Sequence, residues 1–375
     1  MRCSYCNSPK DFCPSCDFQK EQDTAQALLE DNPSCLFDSR PDLLKNLAIL
    51  GQVGSSAEIT KVLPLLSRLS SSALSEMHVD TVYEIAKMVS LLSRSASALD
   101  LLSFVLRKIT VSDLLQMHPA TIIQLCRAAT LGSPRALNAI AGGCLGALNY
   151  RELSLLDPQT LSFIAEAAIA GYPSALTSIA DNVLIDPEFN FSVTAVISHD
   201  TLNMFAQAAI NGHGRALDNA SCWINNLLAN DLSDMHPMTL YHLARASSSG
   251  YPRALCAITP VLHNLSASML NAMDERTIPA VVLAAQYSRN DGAITNLMNA
   301  FDELSLDDQL NLDPSGSLHQ AYNSLSTYST PLASSFGSSN SLSIFSHASS
   351  QHLGELISSG CEGMRDSFDS LSHTP

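Results

Sequence analysis

Six threonines, Thr81, Thr121, Thr160, Thr201, Thr239 and Thr277, recur at intervals of 40, 39, 41, 38 and 38 residues. Behind them Ala98, Ala136, Ala175, Ala216 and Ala254 keep the same beat. Two anchors in phase dictate a stack of similar units, because a unit of this size cannot bury its apolar face alone and neighbours must share a core. About seven such units run from Pro41 to Asn311.

Each unit reads as helical. In the stretch after Thr121, Ile122, Leu125, Cys126 and Ala129 fall at i, i+3, i+4 and i+7, the spacing of one helix face. The same face is Leu161, Ile164, Ala165 and Ala168 in the next unit, then Leu202, Phe205, Ala206 and Ala209, then Leu240, Leu243, Ala244 and Ser247. Three residues before each threonine stands His78, His118, Asp157, Ser198, His236 or Asp274, and Pro119, Pro158 and Pro237 follow at once in three copies. Asp and Ser cap helix starts and Pro suits a first turn, so a helix begins here. Gly132, Gly171, Gly212 and Gly250 break that helix, and a second one carries Ala-Leu-x-x-Ile, as in Ala136 to Ile140. A Leu/Met turn such as Leu114 to Met117 leads into the next copy. The fold class expected is all-α, an α-solenoid of about seven two-helix repeats over residues 41–312.

The ends depart from the pattern. Pro41 to Leu66 fits a degenerate first unit, and Ile278 to Asn311 a last one whose Pro279, Asp302, Glu303, Asp307 and Asp308 suit a polar cap. Residues 1–20 hold a cysteine cluster and residues 21–40 read as a linker. From residue 313 to 375 the chain turns to Ser, Gly, His and Asn, a composition that reads as a disordered tail with one short helix near Leu353 to Ile357.

Composition narrows the functions. A net charge of -16 argues against a groove that tracks phosphates, since that affinity comes from Lys and Arg displacing counterions. The longest apolar run, Ile278 to Ala285, is far short of the roughly 20 residues of a membrane helix. No secretory leader is visible and six of the ten cysteines are scattered, which suits a reducing, cytoplasmic setting. A Ser-rich tail is also the composition of a signal for delivery into a host cell by a specialised secretion system, so a bacterial effector is a further reading.

Cys3-x2-Cys6-x6-Cys13-x2-Cys16 is the sharpest chemical signal. Four thiolates in two x2 pairs match the tetrahedral ligand set of a structural Zn site, in which the metal replaces a core that so short a segment cannot build. With Phe12 beside Cys13-Pro14, the segment resembles small zinc-ribbon knuckles. His78, His118 and His236 recur at one repeat position, but helices packed about 8–10 Å apart do not converge such side chains on one ion. Gly212-His213-Gly214 lacks both the third small residue and the preceding strand of a dinucleotide loop. No catalytic motif appears, and the chain is expected not to be an enzyme.

What varies within the regular unit points to binding. Tyr83, Ile123, Ser162, Asn203 and Tyr241 form one column of the first helices, and Lys87, Arg127, Glu166, Gln207 and Arg245 another, four residues on and on the same helix face. These change in size and charge while the core columns do not, as suits a surface that meets something different at each step, or a solvated face free to drift. The unit resembles the helical-hairpin repeats of the HEAT, tetratricopeptide and octotricopeptide kind, the last through Leu153 to Leu161, and its second helix is similar to that of transcription-activator-like effector arrays. Those resemblances imply an extended binding surface. The expected function is a non-enzymatic scaffold for a protein or peptide. The alternative is single-stranded RNA or DNA recognition, with Tyr83 and Tyr241 stacking on bases and Lys87, Arg127 and Arg245 on phosphates.

Overall fold

The computed structural model describes residues 14–31, 42–53, 77–91, 97–185, 199–224, 232 and 235–328. It divides into two compact units, Met1–Leu318 and His319–Pro375. Among the described residues every regular element is a helix, and no helix is long and apolar enough to cross a membrane.

The first helices are Val79–Ser90, Thr121–Thr130, Thr160–Ile169, His199–Ile210, Thr239–Ser248 and Thr277–Ser288. Each packs on the first helix of the following unit, beginning with Leu43–Val53 against Val79–Ser90. The faces that meet are small. Ala86, Cys126, Ala165, Ala206 and Ala244 are all buried at one helical position, which lets neighbouring backbones approach closely. Second helices form a parallel run of contacts through Pro134–Ile140, Ser174–Asn182, Arg215–Ile224 and Arg253–Ile258. Their Ala136, Leu137 and Ile140, with the equivalent Ala175, Leu176 and Ile179, fill the space between the two sets and are fully or almost fully buried.

Helix ends explain why each unit turns where it does. Gly132, Gly171, Gly212 and Gly250 sit at φ near +100°, a backbone that L side chains rarely adopt. In each case the next residue's amide bonds back five residues, as Ser133 does to Ala128 at 3.0 Å and Tyr172 to Ala167 at 2.9 Å. Arg289 takes the same left-handed turn, at φ 55°, in the Thr277 unit.

The structure corrects the two-helix unit. The expected Leu/Met turn is a third short helix, Val111–Gln116, Tyr150–Ser154, Ala267–Asn271 or Leu306–Leu312. Thr110 and Asp113 form a reciprocal capping box at its start, and Asn149 and Glu152 form another one period later. Five to seven residues are too few for a helical period to show, although the cap spacing was there to be read. Second helices also run on irregularly, through a π-helical turn at Ala141–Leu145 and a 3-10 turn at Thr259–Asn264.

Both ends differ from expectation as well. One helix, Pro14–Asp31, crosses the boundary between the cysteine segment and the expected linker, and it packs on Leu43–Val53. The second helix expected in the first unit, Ala57 to Leu66, lies outside the described residues. Pro279 is accommodated in the first turn of Thr277–Ser288, where amides have no intrahelical acceptor, so the Thr277 unit is regular. A further helix, Ser317–Tyr328, occupies the start of the segment expected to be disordered. The Asp313 carboxylate starts it by accepting from the amides of Ser317 and Leu318 at 3.0 and 2.8 Å. The remainder of that segment, with the helix expected near Leu353, is outside the described residues.

Candidate functional site: the ridge of the first helices

Five of the first helices are entered by a hydrogen-bonded turn, at Thr81, Thr121, Thr160, Thr239 and Thr277. The amide of the threonine donates to the carbonyl three residues back, at 2.8 Å in Thr121, Thr239 and Thr277. The side chain at that earlier residue caps the amide two residues on. Asp157 and Asp274 accept through a carboxylate at 2.9 Å, and His78, His118 and His236 accept through Nδ1 at 3.3, 3.2 and 3.1 Å. The histidines therefore take the capping place that aspartate fills in the other units. His78 stands directly at a helix N-cap, whereas at Thr121, Thr160, Thr239 and Thr277 the turn precedes the helix, which starts at the threonine itself; the helix of the Thr201 unit starts at His199. All six threonines are buried, with their methyls in the core, and the Thr121 hydroxyl donates to the His118 carbonyl at 2.6 Å.

The two variable columns lie where one first helix meets the next. Tyr83 stacks on His118 of the next unit, with ring centroids 4.0 Å apart and planes within 13°. Arg127 places its guanidinium 4.7 Å from the ring centroid of Phe163. Asn203 is buried and its Oδ1 lies 2.6 Å from Nδ1 of His242, while its amide nitrogen faces His236 at 3.5 Å. Arg276 sits over the Tyr241 ring at 5.2 Å, and Arg245 donates to the Tyr241 hydroxyl at 3.1 Å. Ser90 and Gln124 bridge the same step as Tyr83 and His118, at 2.7 Å. Four of the steps between these first helices thus carry a side-chain pair.

Exposure divides the ten candidate residues. Ile123 and Asn203 are buried, so the first column is not presented to solvent in full. Tyr83, Ser162, Tyr241, Lys87 and Gln207 are half-buried, and Arg127, Glu166 and Arg245 are exposed. The accessible ridge is therefore mainly the second column. Sequence reasoning missed Phe163, His242, Arg276 and Gln124, which complete the pairs; their types differ at every step, so nothing marks them as a column.

Electrostatics along the ridge are local. Arg276 binds Asp274 through two bonds of 2.6 and 2.8 Å, which hold the Asp274 carboxyl down to about 2. Burial lowers the pKa of His242 below the ordinary imidazole range, and His236, Arg245 and Arg276 push the same way. Beside this ridge lies a cleft of about 170 Å³ lined by Met235, His236, Pro237, Leu240, Ser268, Met269, Ala272 and Met273. Its floor is the start of one first helix and its wall the third helix that leads into the next unit.

Among the second helices, Asp218 is the group least at ease. One carboxylate oxygen is buried with no partner, and burial pushes its pKa up to about 6 against the pull of Arg253. Burial also raises the Cys126 thiol far above its usual range and Cys144 to about 11, which makes both inert core residues. Of the four cysteines expected to bind metal, Cys3, Cys6 and Cys13 lie outside the described residues, and Cys16 falls in the first turn of the helix Pro14–Asp31. Among the described residues no group of three or more metal-binding side chains converges. Comparison with protein-family models, curated proteins and solved structures gives no match for this chain.

Proposed function

We propose that the chain is a non-enzymatic scaffold of the α-solenoid kind, whose ridge of stacked first helices holds a protein or peptide partner. One observation carries the reading. Lys87, Arg127, Glu166, Gln207 and Arg245 stay wholly or partly accessible at a single position of five successive helices and range from cationic through neutral to anionic, above a core that barely changes. The methionine-lined cleft adjoins this ridge and supplies an apolar hold. Its volume of about 170 Å³ is near that of a cavity that accepts a benzene ring, and thioether side chains adapt to different guests.

Protein is favoured over nucleic acid by the state of the two tyrosines. Tyr83 already has one ring face against His118, and Arg276 lies over Tyr241, so each ring is partly occupied within the chain. The net charge of -16 adds a repulsive background. Pull-down with the full chain tests the reading: Arg127→Glu combined with Arg245→Glu should cut capture of a ridge-bound partner at least about tenfold, the size of one or two lost charged contacts. If every captured protein is retained undiminished, the ridge is not the binding surface. Salt-sensitive binding of labelled single-stranded RNA by the wild type would favour the nucleic-acid reading instead.

Cys3, Cys6, Cys13 and Cys16 are proposed to hold one structural zinc. The two Cys-x2-Cys pairs support this, and the helix Pro14–Asp31 includes Cys16 in its first turn. Metal analysis of the purified chain should find about one zinc per chain, lost in the Cys13→Ser and Cys16→Ser double variant. A zinc-free wild type purified without chelator sinks this assignment.

A further inference from the structure

We propose that the methionine-lined cleft takes one apolar side chain of a peptide whose neighbouring residues are acidic, the carboxylate being held by Arg245 and Arg276. The inference deepens the proposed function and rests on its reading of the chain as a holder of protein or peptide. At about 170 Å³ the cleft is smaller than the roughly 300–1,000 Å³ of a site for a whole small molecule, and close to the roughly 150 Å³ of a cavity that takes one benzene ring. It therefore fits one side chain of the size of leucine or phenylalanine, presented by something larger.

The cleft is set apart from the corresponding places in other units. The residue just before the entry turn is Met77, Met117, Leu156, Met235 or Met273. Met77, Met117 and Leu156 are buried, at 6, 4 and 6 % exposure, so there the chain itself closes the space. Met235 and Met273 are only half-buried, as is Met269, and all three line the cleft. The column that is covered in three units is thus left uncovered in the two that border the cleft. Unbranched thioether side chains repack around guests of different shape, which suits a recess that receives a side chain from outside.

Charge beside the cleft selects what flanks the guest side chain. Leu240, in the cleft lining, is followed by Tyr241, whose ring carries Arg245 at 5.9 Å and Arg276 at 5.2 Å. Burial lowers the pKa of His242, and His236 of the cleft pushes the same way together with Arg245 and Arg276, so cleft and arginines form one neighbourhood. Asp274 takes Nε and Nη2 of Arg276, which leaves Nη1 without an acceptor among the described residues. Arg245 donates to the Tyr241 hydroxyl and pairs with no carboxylate among the described residues. Glu275, the other acid nearby, is exposed and pairs with neither guanidinium there. Two exposed guanidiniums beside an apolar recess, in a chain of net charge -16, match a peptide that offers an apolar side chain and a carboxylate together, because the forked donors can hold carboxylate oxygens in pairs.

Methyl NMR of the full chain labelled at methionine tests the proposal. The probe is a synthetic Gly/Ser peptide of about ten residues with one phenylalanine followed by a pair of aspartates, titrated over about 0.01–3 mM, the range in which a single anchor and two charges bind. It should shift the Met235, Met269 and Met273 methyl signals saturably and leave Met88, which is fully buried in another unit, unmoved. Replacing the phenylalanine by alanine, or the aspartates by lysines, should weaken binding at least about tenfold, as should Arg245→Glu in the protein. Lys108→Glu, the same charge change at an exposed side chain away from ridge and cleft, should bind as the wild type does. Aspartate and lysine peptides bound alike overturn the proposal, as does an aspartate peptide that leaves the three methionines unmoved, or their movement by a single-stranded RNA oligonucleotide instead. Met269→Glu should abolish peptide binding with an unchanged unfolding temperature, because the side chain it replaces is already half-open to water. In the ridge pull-down that variant keeps the two readings apart. A partner retained by Met269→Glu but lost by Arg127→Glu with Arg245→Glu leaves the ridge standing and rejects the cleft, while a partner retained by both rejects the ridge as well.

Discussion

The second helices and the ridge of the first helices are built on opposite rules. Along the second helices the same side chains return, Ala136-Leu137-Ile140, Ala175-Leu176-Ile179 and Ala254-Leu255-Ile258, all buried. Along the ridge the pairs change from step to step: an aromatic stack beside a hydrogen bond, a guanidinium over a ring, an amide held by histidine, and a guanidinium over a tyrosine. Repeated apolar sizes set the distance between units. A stack shifted by one unit would keep that core yet lose every ridge pair, so the unrepeated residues are the ones that distinguish the units. In the proposed function the same residues would meet the partner.

The contrast predicts unequal costs. Leu217 is fully buried in the second helix of its unit, and Leu217→Ala should cost about 3 kcal/mol in urea unfolding, as loss of transfer energy and a residual cavity add. A cost below about 1 kcal/mol would show that the second helices are not a shared core. Helix ends come next. Gly171, at φ +99° with open space around it, meets strain alone on Gly171→Ala, worth about 1–2 kcal/mol, whereas Arg289→Gly should stabilise by up to about 1 kcal/mol because the left-handed turn is already paid for by a residue unsuited to it. Opposite signs at the two positions are the readout.

Asp218 sharpens the comparison through pH. Its carboxyl is raised to about 6 from 3.8 in the fold, so the neutral form is favoured and its stability is full below about pH 4, then declines as pH rises to about 6. Asp218→Asn should therefore stabilise the chain by about 1 kcal/mol at pH 7, after discounting for a partly open site, and should flatten the decline between pH 4 and 6. A variant that is equally stable at pH 4 but less stable at pH 7 would mean that Arg253 holds the carboxylate after all.

Sequence reading reached the repeating parts and stopped at the others for physical reasons. Thr121, Gly132 and Ala136 announce a helix, its left-handed stop and a second helix because each position admits few residue types. The role of the Gly212-His213-Gly214 segment lies one period away: Tyr251 donates to the Gly212 carbonyl at 3.2 Å, and a Cβ on Gly214 would collide with the Tyr251 ring. Short third helices carry too little periodicity to show. The ridge pairs join residues 33 to 39 apart whose types change from step to step, so Arg276 over Tyr241 or Phe163 beneath Arg127 leaves no recurring mark in the chain.

The smallest expected effect bears most directly on the ridge. Arg127 is exposed and lies 4.7 Å from the Phe163 ring centroid, a cation–π contact between adjacent units. Arg127→Ala and Phe163→Ala should each destabilise modestly, with part of each effect coming from lost packing. Their coupling in a double-mutant cycle isolates the contact and should be about 0.5–1 kcal/mol for so open a pair. Pairing Arg127→Ala with Tyr83→Ala, which belongs to the preceding unit and stacks on His118, should give almost no coupling, because those two side chains serve different steps. Coupling confined to Arg127 with Phe163 means that the ridge is a row of separate latches, each free to be replaced without disturbing the next. Equal coupling in both cycles would mean that the ridge responds as one body, and a partner bound at one step would then be felt at all of them.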